Sequence, residues 1–171
     1  MSNLNCSKIY QAISSASNIL IVSHLNPDGD TLSSMLACYL WLKNSEKNLS
    51  LFINDELPRE LDFLPYFNLI QNQPEKLDIK NFDLILTLDC ADFKRSGLCD
   101  ILPQHNFITP IINIDHHASN DNFGSLNLID SSASSTCEIL FNFFKTHQIV
   151  LDKNLAQLLS LIHISEPTRP Y

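Results

Sequence analysis

The sequence is poor in glycine, with three glycines among its 171 residues. Average usage of about 7% would give roughly a dozen in a chain of this length. The three are Gly29, Gly97 and Gly124, and we expect each of them to lie in a loop. Glycine tolerates a positive φ and close backbone approach. We therefore predict that the backbone in these loops has a positive φ or closely approaches another group.

Paired cysteines and long apolar runs are also missing. The five cysteines contain no Cys-x-x-Cys pair: Cys6, Cys38, Cys90, Cys99 and Cys137. An odd number without zinc-site spacing indicates reduced thiols that mostly fill the core of a cytoplasmic protein. No apolar run is long enough to span a bilayer, and the first residues lack the pattern of a signal peptide. We therefore expect a single cytoplasmic domain without a membrane partner.

Positive charge is scarce as well. Eleven lysines and arginines stand against nineteen aspartates and glutamates, which gives a formal net charge of −8. Proteins that grip long duplexes usually carry basic stripes, so that class is excluded. A substrate that bears phosphate would have to be held by metal ions and a few local cations. This favours short or small substrates over polymers.

What the sequence does contain is a repeated pattern of apolar strands followed at once by acids and histidines. The pairs are 18–22 with His24, Asp28 and Asp30, then 82–88 with Asp89, and 107–114 with Asp115, His116 and His117. Parallel strands joined by helices bring their carboxyl ends to one edge of a sheet. We therefore predict an α/β fold with a mostly parallel sheet flanked by helices, and one site that collects all seven side chains.

The remaining elements follow from apolar spacing and from turn residues. Helices are predicted over 4–17, 30–43, 137–145 and 152–163, a strand over 49–54, and one or two short helices within 55–74. Pro110 lies inside the strand predicted over 107–114. Because proline cannot donate to a sheet ladder, this residue favours an edge position or a bulge.

Purely structural roles remain open for several of these residues. Asp30 could be the N-cap of its own helix, and Asp28 with Gly29 could form a turn after proline. His24 could be a strand-end histidine with a backbone partner. Ser135 is followed three residues later by a glutamate, a spacing typical of a capping box at the start of a helix.

The repetition nevertheless favours a metal site. Four carboxylates in one cleft would repel each other strongly unless cations neutralised them. Mixed carboxylate and imidazole ligands suit Mn²⁺, with Mg²⁺ as the alternative. A pair of such ions lowers the pKa of water from 15.7 to as little as about 7 and generates hydroxide for in-line attack on phosphorus. The reaction class that follows is hydrolysis of a phosphoester or a phosphoanhydride.

The order and spacing of these residues resemble the first three motifs of the DHH phosphoesterase family. The matching stretches are Ser23-His24-x-x-Pro27-Asp28-Gly29-Asp30, then Asp89, then Asp115-His116-His117. The run 115–124, and Asp89 followed by Arg95-x-Gly97, look most like its branch of oligoribonucleases and phosphoadenosine phosphatases, which is related to RecJ-like nucleases. The resemblance implies a Rossmann-like DHH domain. It also implies a Mn²⁺-dependent phosphoesterase for short oligoribonucleotides, 3′-phosphoadenosine 5′-phosphate (PAP), or both.

The resemblance also implies roles for individual residues. His24, Asp28 and Asp89 would hold one metal ion, and Asp30, Asp89 and His116 the other, so that Asp89 bridges them. His117 would face the substrate phosphate, while Asp115 would orient the histidines. Arg95 would clamp a phosphate, although an exposed surface arginine is an equal alternative.

The resemblance extends to about Ile162 and then stops. Where the family has a Gly-Ile-x-x-Asp-Thr-Gly motif, this chain has Ile162-His163-Ile164-Ser165-Glu166. We therefore expect an incomplete DHH domain over 1–163, truncated at its C-terminal end, with a disordered or non-native tail over 164–171. The C-terminal substrate-binding domain is expected to be absent. Alternatives to an active enzyme of this type are a metal- or nucleotide-binding remnant, an inorganic pyrophosphatase or polyphosphatase, and a cyclic-dinucleotide phosphodiesterase.

Overall fold

A computed structural model describes residues 3–102 and 108–160, without the side chain of Asn3. This part of the chain contains six β-strands: β1 Asn18–Ser23, β2 Asn48–Phe52, β3 Ile70–Gln71, β4 Leu84–Leu88, β5 Ile111–Asp115 and β6 Leu126–Ile129. It also contains four α-helices: α1 Asn3–Ser15, α2 Gly29–Leu42, α3 Thr136–Thr146 and α4 Lys153–Ser160. Five short 3₁₀ segments lie between β2 and β5.

The strands form one parallel sheet in the order β3-β2-β1-β4-β5-β6. The predicted α/β fold with a parallel sheet is therefore confirmed. From β1 the chain continues to β2 on one side, and it later returns to place β4 on the other side. Open α/β sheets bind their ligands at such a reversal, outside the carboxyl ends of the strands. The reversal directs attention to the residues that follow β1 and β4.

Alternate residues of the central strands face two separate cores. Ile19 and Ile21 of β1 belong to a large core that also contains residues of all four α-helices. Leu20 and Val22 belong to a smaller core on the other face, which loops and 3₁₀ segments cover. All four of these β1 side chains are fully buried. Residues 19–22 of the strand are therefore continuously apolar, as expected for parallel strands covered on both sides.

Most predicted elements occur within a few residues of their expected bounds, but two strands were missed. Strands β3 and β6 have only two and four residues, too short for a clear apolar pattern. The edge position predicted for Pro110 is wrong, because β5 pairs with β4 on one side and β6 on the other. Pro110 instead precedes β5, and its carbonyl accepts a hydrogen bond from the Ile85 N–H at 3.0 Å. A missing N–H at that point interrupts no ladder.

Gly97 has the unusual backbone conformation that was expected of the glycines. It lies before a 3₁₀ segment with φ +68°, and a Cβ there would lie 2.8 Å from the Asn54 Cβ. The prediction that Gly29 lies in a loop is wrong, because that residue is the first of α2. The predictions for residues 161–171, including the tail and the altered motif near Ile162, lie outside the described residues.

Candidate functional site

Neighbouring strands deliver the predicted site residues to one edge of the sheet. Ser23, the last residue of β1, pairs with Leu88, the last of β4, and Leu88 pairs with Ile114 of β5. The ends of β1 and β4 are therefore level, and β5 extends one residue further, to Asp115. His24 follows β1 directly, Asp89 follows β4, and the Asp115-His116-His117 run begins with the last residue of β5, so parallel pairing alone brings these side chains together.

Asp89 is the residue that connects the site. It is 2% exposed, and its N–H donates to the Ile114 carbonyl at 3.0 Å before the chain turns with φ +61°. Its Oδ2 lies 3.3 Å from His24 Nε2, while its Oδ1 lies 3.6 Å from His116 Nε2 and 3.8 Å from His117 Nδ1. The two carboxylate oxygens thus face two different sets of histidines.

The first set consists of His24, Asp28 and Asp89, each of which offers one ligand atom within 4.8 Å of the others. His24 Nδ1 lies 2.6 Å from the Leu25 carbonyl oxygen. Because a carbonyl oxygen can only accept, Nδ1 carries a proton and Nε2 of the neutral ring keeps its lone pair. Nε2 is the nitrogen that faces Asp89, so the histidine is held in the form that binds a cation.

The second set consists of Asp89, Asp115, His116 and His117. His117 Nδ1 contacts Asp115 Oδ1 at 2.7 Å, and the Asn120 side-chain amide donates to Asp115 Oδ2 at 2.6 Å. Asp115 is fully buried. A buried carboxylate fixed in this way sets the orientation of the His117 ring, while Asp115 itself is also close enough to be a ligand.

Charge and burial have opposite effects on the pKa values of Asp89 and His24. Burial alone would raise the pKa of Asp89, but the hydrogen bond and positive charge of His24, with further contributions from His116 and Thr31, lower its pKa below the usual value. Burial likewise opposes protonation of His24, yet contact with Asp89 outweighs it and raises the pKa of the ring. The surroundings thus favour the negative form of Asp89, which is the form that can hold a cation.

Asp30 lies in neither set among the described residues. Its carboxylate accepts hydrogen bonds from the N–H groups of Thr136 at 2.8 Å and Cys137 at 3.1 Å, at the start of α3. Burial and the nearby charge of Asp89 raise its pKa to about 7. The N-cap of α2 is Asp28, which accepts from the Thr31 N–H at 3.0 Å. The interpretation of Asp30 as the cap of its own helix is therefore wrong.

Arg95 lies next to the first set through its backbone. Its carbonyl accepts a hydrogen bond from the Leu25 N–H at 2.8 Å, and its own N–H donates to Asp92 at 2.8 Å. The residue is exposed. The loop after β4 is thus fixed beside His24, and the role of the guanidinium stays a prediction.

Two threonines that the strand-end pattern did not indicate also belong to the site. The Thr31 hydroxyl donates to Asp89 Oδ2 at 2.9 Å, and the Thr136 hydroxyl donates to Asp89 Oδ1 at 2.9 Å. Both residues lie in the first turn of a helix, where a hydroxyl is common for capping reasons alone. Only the proximity of the two helix starts to β4, a long-range property, reveals their second role.

The donor atoms of both sets fit a divalent cation. Both sets offer carboxylate oxygens and imidazole nitrogens and include no thiolate. Such donors suit Mn²⁺ and related ions rather than the soft metals that select thiolates. Over the described residues, no helix is long and apolar enough to cross a membrane.

The chain is similar to several known proteins. The chain is 35% identical over 123 residues to the bifunctional oligoribonuclease and PAP phosphatase NrnA of Thermus thermophilus, a match that covers 71% of this chain and 35% of that protein. An exopolyphosphatase-related protein from Bacteroides fragilis has the same fold, with a TM-score of 0.81 at 24% identity over 92% of this chain and 48% of that one.

A second solved structure extends the comparison of the fold. RecJ from Thermus thermophilus, in complex with Mn²⁺, superposes with a TM-score of 0.53 at 16% identity over 94% of this chain and 23% of that one. The chain spans less than half the length of each of these three proteins. Residues 18–161 match the family described as "DHH family, N-terminal domain". The chain therefore belongs to the DHH family.

Proposed function

We propose that this chain is the catalytic part of a metal-dependent phosphoesterase. Its substrates are short oligoribonucleotides, PAP, or both, and its preferred cofactor is a pair of Mn²⁺ ions, with Mg²⁺ as the alternative. The observation that carries the proposal is the Asp89 carboxylate, whose two oxygens belong to two different ligand sets. The similarity to a bifunctional oligoribonuclease and PAP phosphatase supports the substrate class.

The two sets support the proposed ligand roles. His24 and Asp28 would hold one cation, His116 would hold the other, and Asp89 would contribute to both. When bound, such a pair of ions lowers the pKa of water and offsets the negative charge of a phosphate. Asp30 is proposed as a further ligand of the second ion, because each carboxylate oxygen has lone pairs beyond the one that accepts an N–H from α3.

His117 is the proposed contact to the substrate phosphate. Contact with Asp115 occupies Nδ1, so Nε2 is the ring nitrogen available to an external group. The side chain is 29% exposed, in contrast to 8% for His116 and 4% for His24. His117 is therefore the histidine of the site that a substrate can reach most readily.

Charge supports a small substrate. The net charge of −8 disfavours long-range attraction of a polyanion. The one adjacent basic pair of the sequence, Lys94 and Arg95, lies in the loop that is fixed beside His24. Arg95 is proposed to clamp a phosphate there, which would provide local rather than extended attraction.

Hydrolysis assays with Mn²⁺ test the proposal. We expect release of mononucleotides from short oligoribonucleotides, or of phosphate from PAP, and loss of that release in His117→Ala. Turnover of pyrophosphate, polyphosphate or a cyclic dinucleotide alone would contradict the proposed substrates. Mn²⁺ binding without hydrolysis of any of these compounds would identify the chain as a non-catalytic metal-binding protein.

A further inference from the structure

We propose that Thr31 and Thr136 are positioning residues that orient the Asp89 carboxylate so that each of its oxygens faces a different ligand set. The inference rests on the proposed two-cation function of the site. In this proposal, the two hydroxyl groups hold the carboxylate in the orientation that directs one oxygen to each ligand set.

The geometry is nearly symmetric about the carboxylate. Thr136 donates to Oδ1, the oxygen nearest His116 and His117, and Thr31 donates to Oδ2, the oxygen nearest His24. Both donor–acceptor distances are 2.9 Å, and both threonines are fully buried. Each oxygen of Asp89 therefore has its own buried donor.

Two hydrogen-bond donors define the plane of the Asp89 carboxylate better than one donor would. The final torsion of an aspartate side chain is broad and roughly two-fold, so the carboxylate plane is weakly defined by its own rotamer. A hydrogen bond on each oxygen fixes that plane. Because each carboxylate oxygen has two lone pairs, a hydroxyl that uses one of them leaves the other for a cation.

The two hydroxyls come from rigid positions. Thr31 is the third residue of α2 and Thr136 is the first of α3. The N–H groups of Thr136 and Cys137 bind the Asp30 carboxylate, which anchors the start of α3 against the start of α2. Groups held by helices and by additional hydrogen bonds keep their geometry better than groups on loops.

The two threonines also differ in a way that makes them separable. The Thr31 hydroxyl also lies 2.6 Å from His24 Nε2 and 3.0 Å from Asp28 Oδ1, so it contacts every member of the first set. Its single proton can serve only one acceptor at a time, and a cation held by the Nε2 lone pair would leave that proton for a carboxylate oxygen. Thr136 contacts the oxygen that faces the second set. Removal of each hydroxyl should therefore affect mainly one cation.

The test is cation binding by Thr31→Val and Thr136→Val, which replace the hydroxyl with a methyl of similar size. Loss of a group that orients a ligand typically weakens metal binding about 10- to 100-fold, and we expect a Mn²⁺ affinity reduced to that extent by calorimetry. Thr31→Ser and Thr136→Ser keep the hydroxyl and should restore most of the affinity. Thr31→Ala and Thr136→Ala give the same comparison if the valine variants do not fold.

Histidine ring ¹⁵N shifts during titration with diamagnetic Zn²⁺ resolve the two positions. In Thr31→Val the shift of His24 should require more Zn²⁺ than in the parent chain, whereas in Thr136→Val the shift of His116 should do so. Thr87→Val is the matched control. Thr87 is fully buried in β4 and donates to the Ile112 carbonyl and to Asn113, both at 3.1 Å. Its loss should lower stability and leave cation binding unchanged.

The outcomes separate the inference from the function on which it rests. A parent chain that binds no Mn²⁺ would overturn the proposed function, and the inference with it. A parent chain that binds Mn²⁺, with valine variants that bind as tightly as the parent or lose no more affinity than Thr87→Val, would overturn the inference alone. Weaker binding in the valine variants, with recovery in the serine variants, would support it.

Discussion

At the scale of single residues, the site depends on where the backbone turns after each strand. Asp89 adopts a positive φ of 61° while its N–H still pairs with β5. Aspartate tolerates this left-handed region better than most residues other than glycine. The turn places the carboxylate between His24 and His116. The position of the Asp89 carboxylate between the two ligand sets thus depends on one local backbone conformation at the end of β4.

The state of His24 leads to a prediction about pH. Contact with Asp89 raises the pKa of the ring above its usual value of 6.5. Below that pKa a proton occupies Nε2, the nitrogen that a cation needs, so Mn²⁺ affinity should rise with pH and level off above the pKa of the ring. Calorimetry between about pH 6 and pH 8, in buffers of different ionisation enthalpy, should show proton release on binding. Equal affinity and no proton release over this range would contradict the assignment of His24.

The residues that meet at the site were predictable from the sequence where a strand end carried an acid or an imidazole. His24, Asp28, Asp89 and His116 follow that pattern, and the structure brings them together. Thr31 and Thr136 do not, because a threonine in the first turn of a helix has an ordinary local explanation. Asp30 shows the same limit, since its carboxylate binds the start of a helix more than 100 positions further along the chain.

At the scale of secondary structure, the beginning of α3 is the part of the fold that completes the site. Ser135 caps this helix through the Glu138 N–H at 3.0 Å, and the Glu138 carboxylate accepts the Ser134 N–H at 2.7 Å. The predicted capping role of Ser135 is thus confirmed. The same turn presents Thr136 to Asp89, so helix capping and site geometry are coupled.

Removal of this cap should affect both stability and binding. We expect Ser135→Ala to reduce the free energy of unfolding by about 1 kcal/mol and to weaken Mn²⁺ binding, because the first turn of α3 positions Thr136. Urea denaturation and calorimetry measure the two effects. Ser135→Thr retains a capping oxygen and serves as the control. A stability loss with unchanged Mn²⁺ affinity would show that the cap and the site are independent.

At the scale of the whole molecule, strand order determines the site. The sequence predicted a mostly parallel sheet, since its central strands contain continuous apolar runs and helical patterns lie on either side of them. It did not predict the order β3-β2-β1-β4-β5-β6 or the presence of β6, because pairing partners are set by long-range packing. The reversal between β1 and β4 places the ends of these two strands side by side. The position of the site at this edge therefore follows from topology.

The most direct test of the account is the number of Mn²⁺ ions that calorimetry finds in the parent chain and in Asp89→Ala. The control is Asp83→Ala, because Asp83 accepts the N–H groups of Ser17 and Asn18 at the start of β1, at the other end of that strand. We predict two ions in the parent chain and in Asp83→Ala, and none in Asp89→Ala, since both ligand sets share the Asp89 carboxylate. Loss of only one ion in Asp89→Ala, or of none, would contradict the shared role of Asp89.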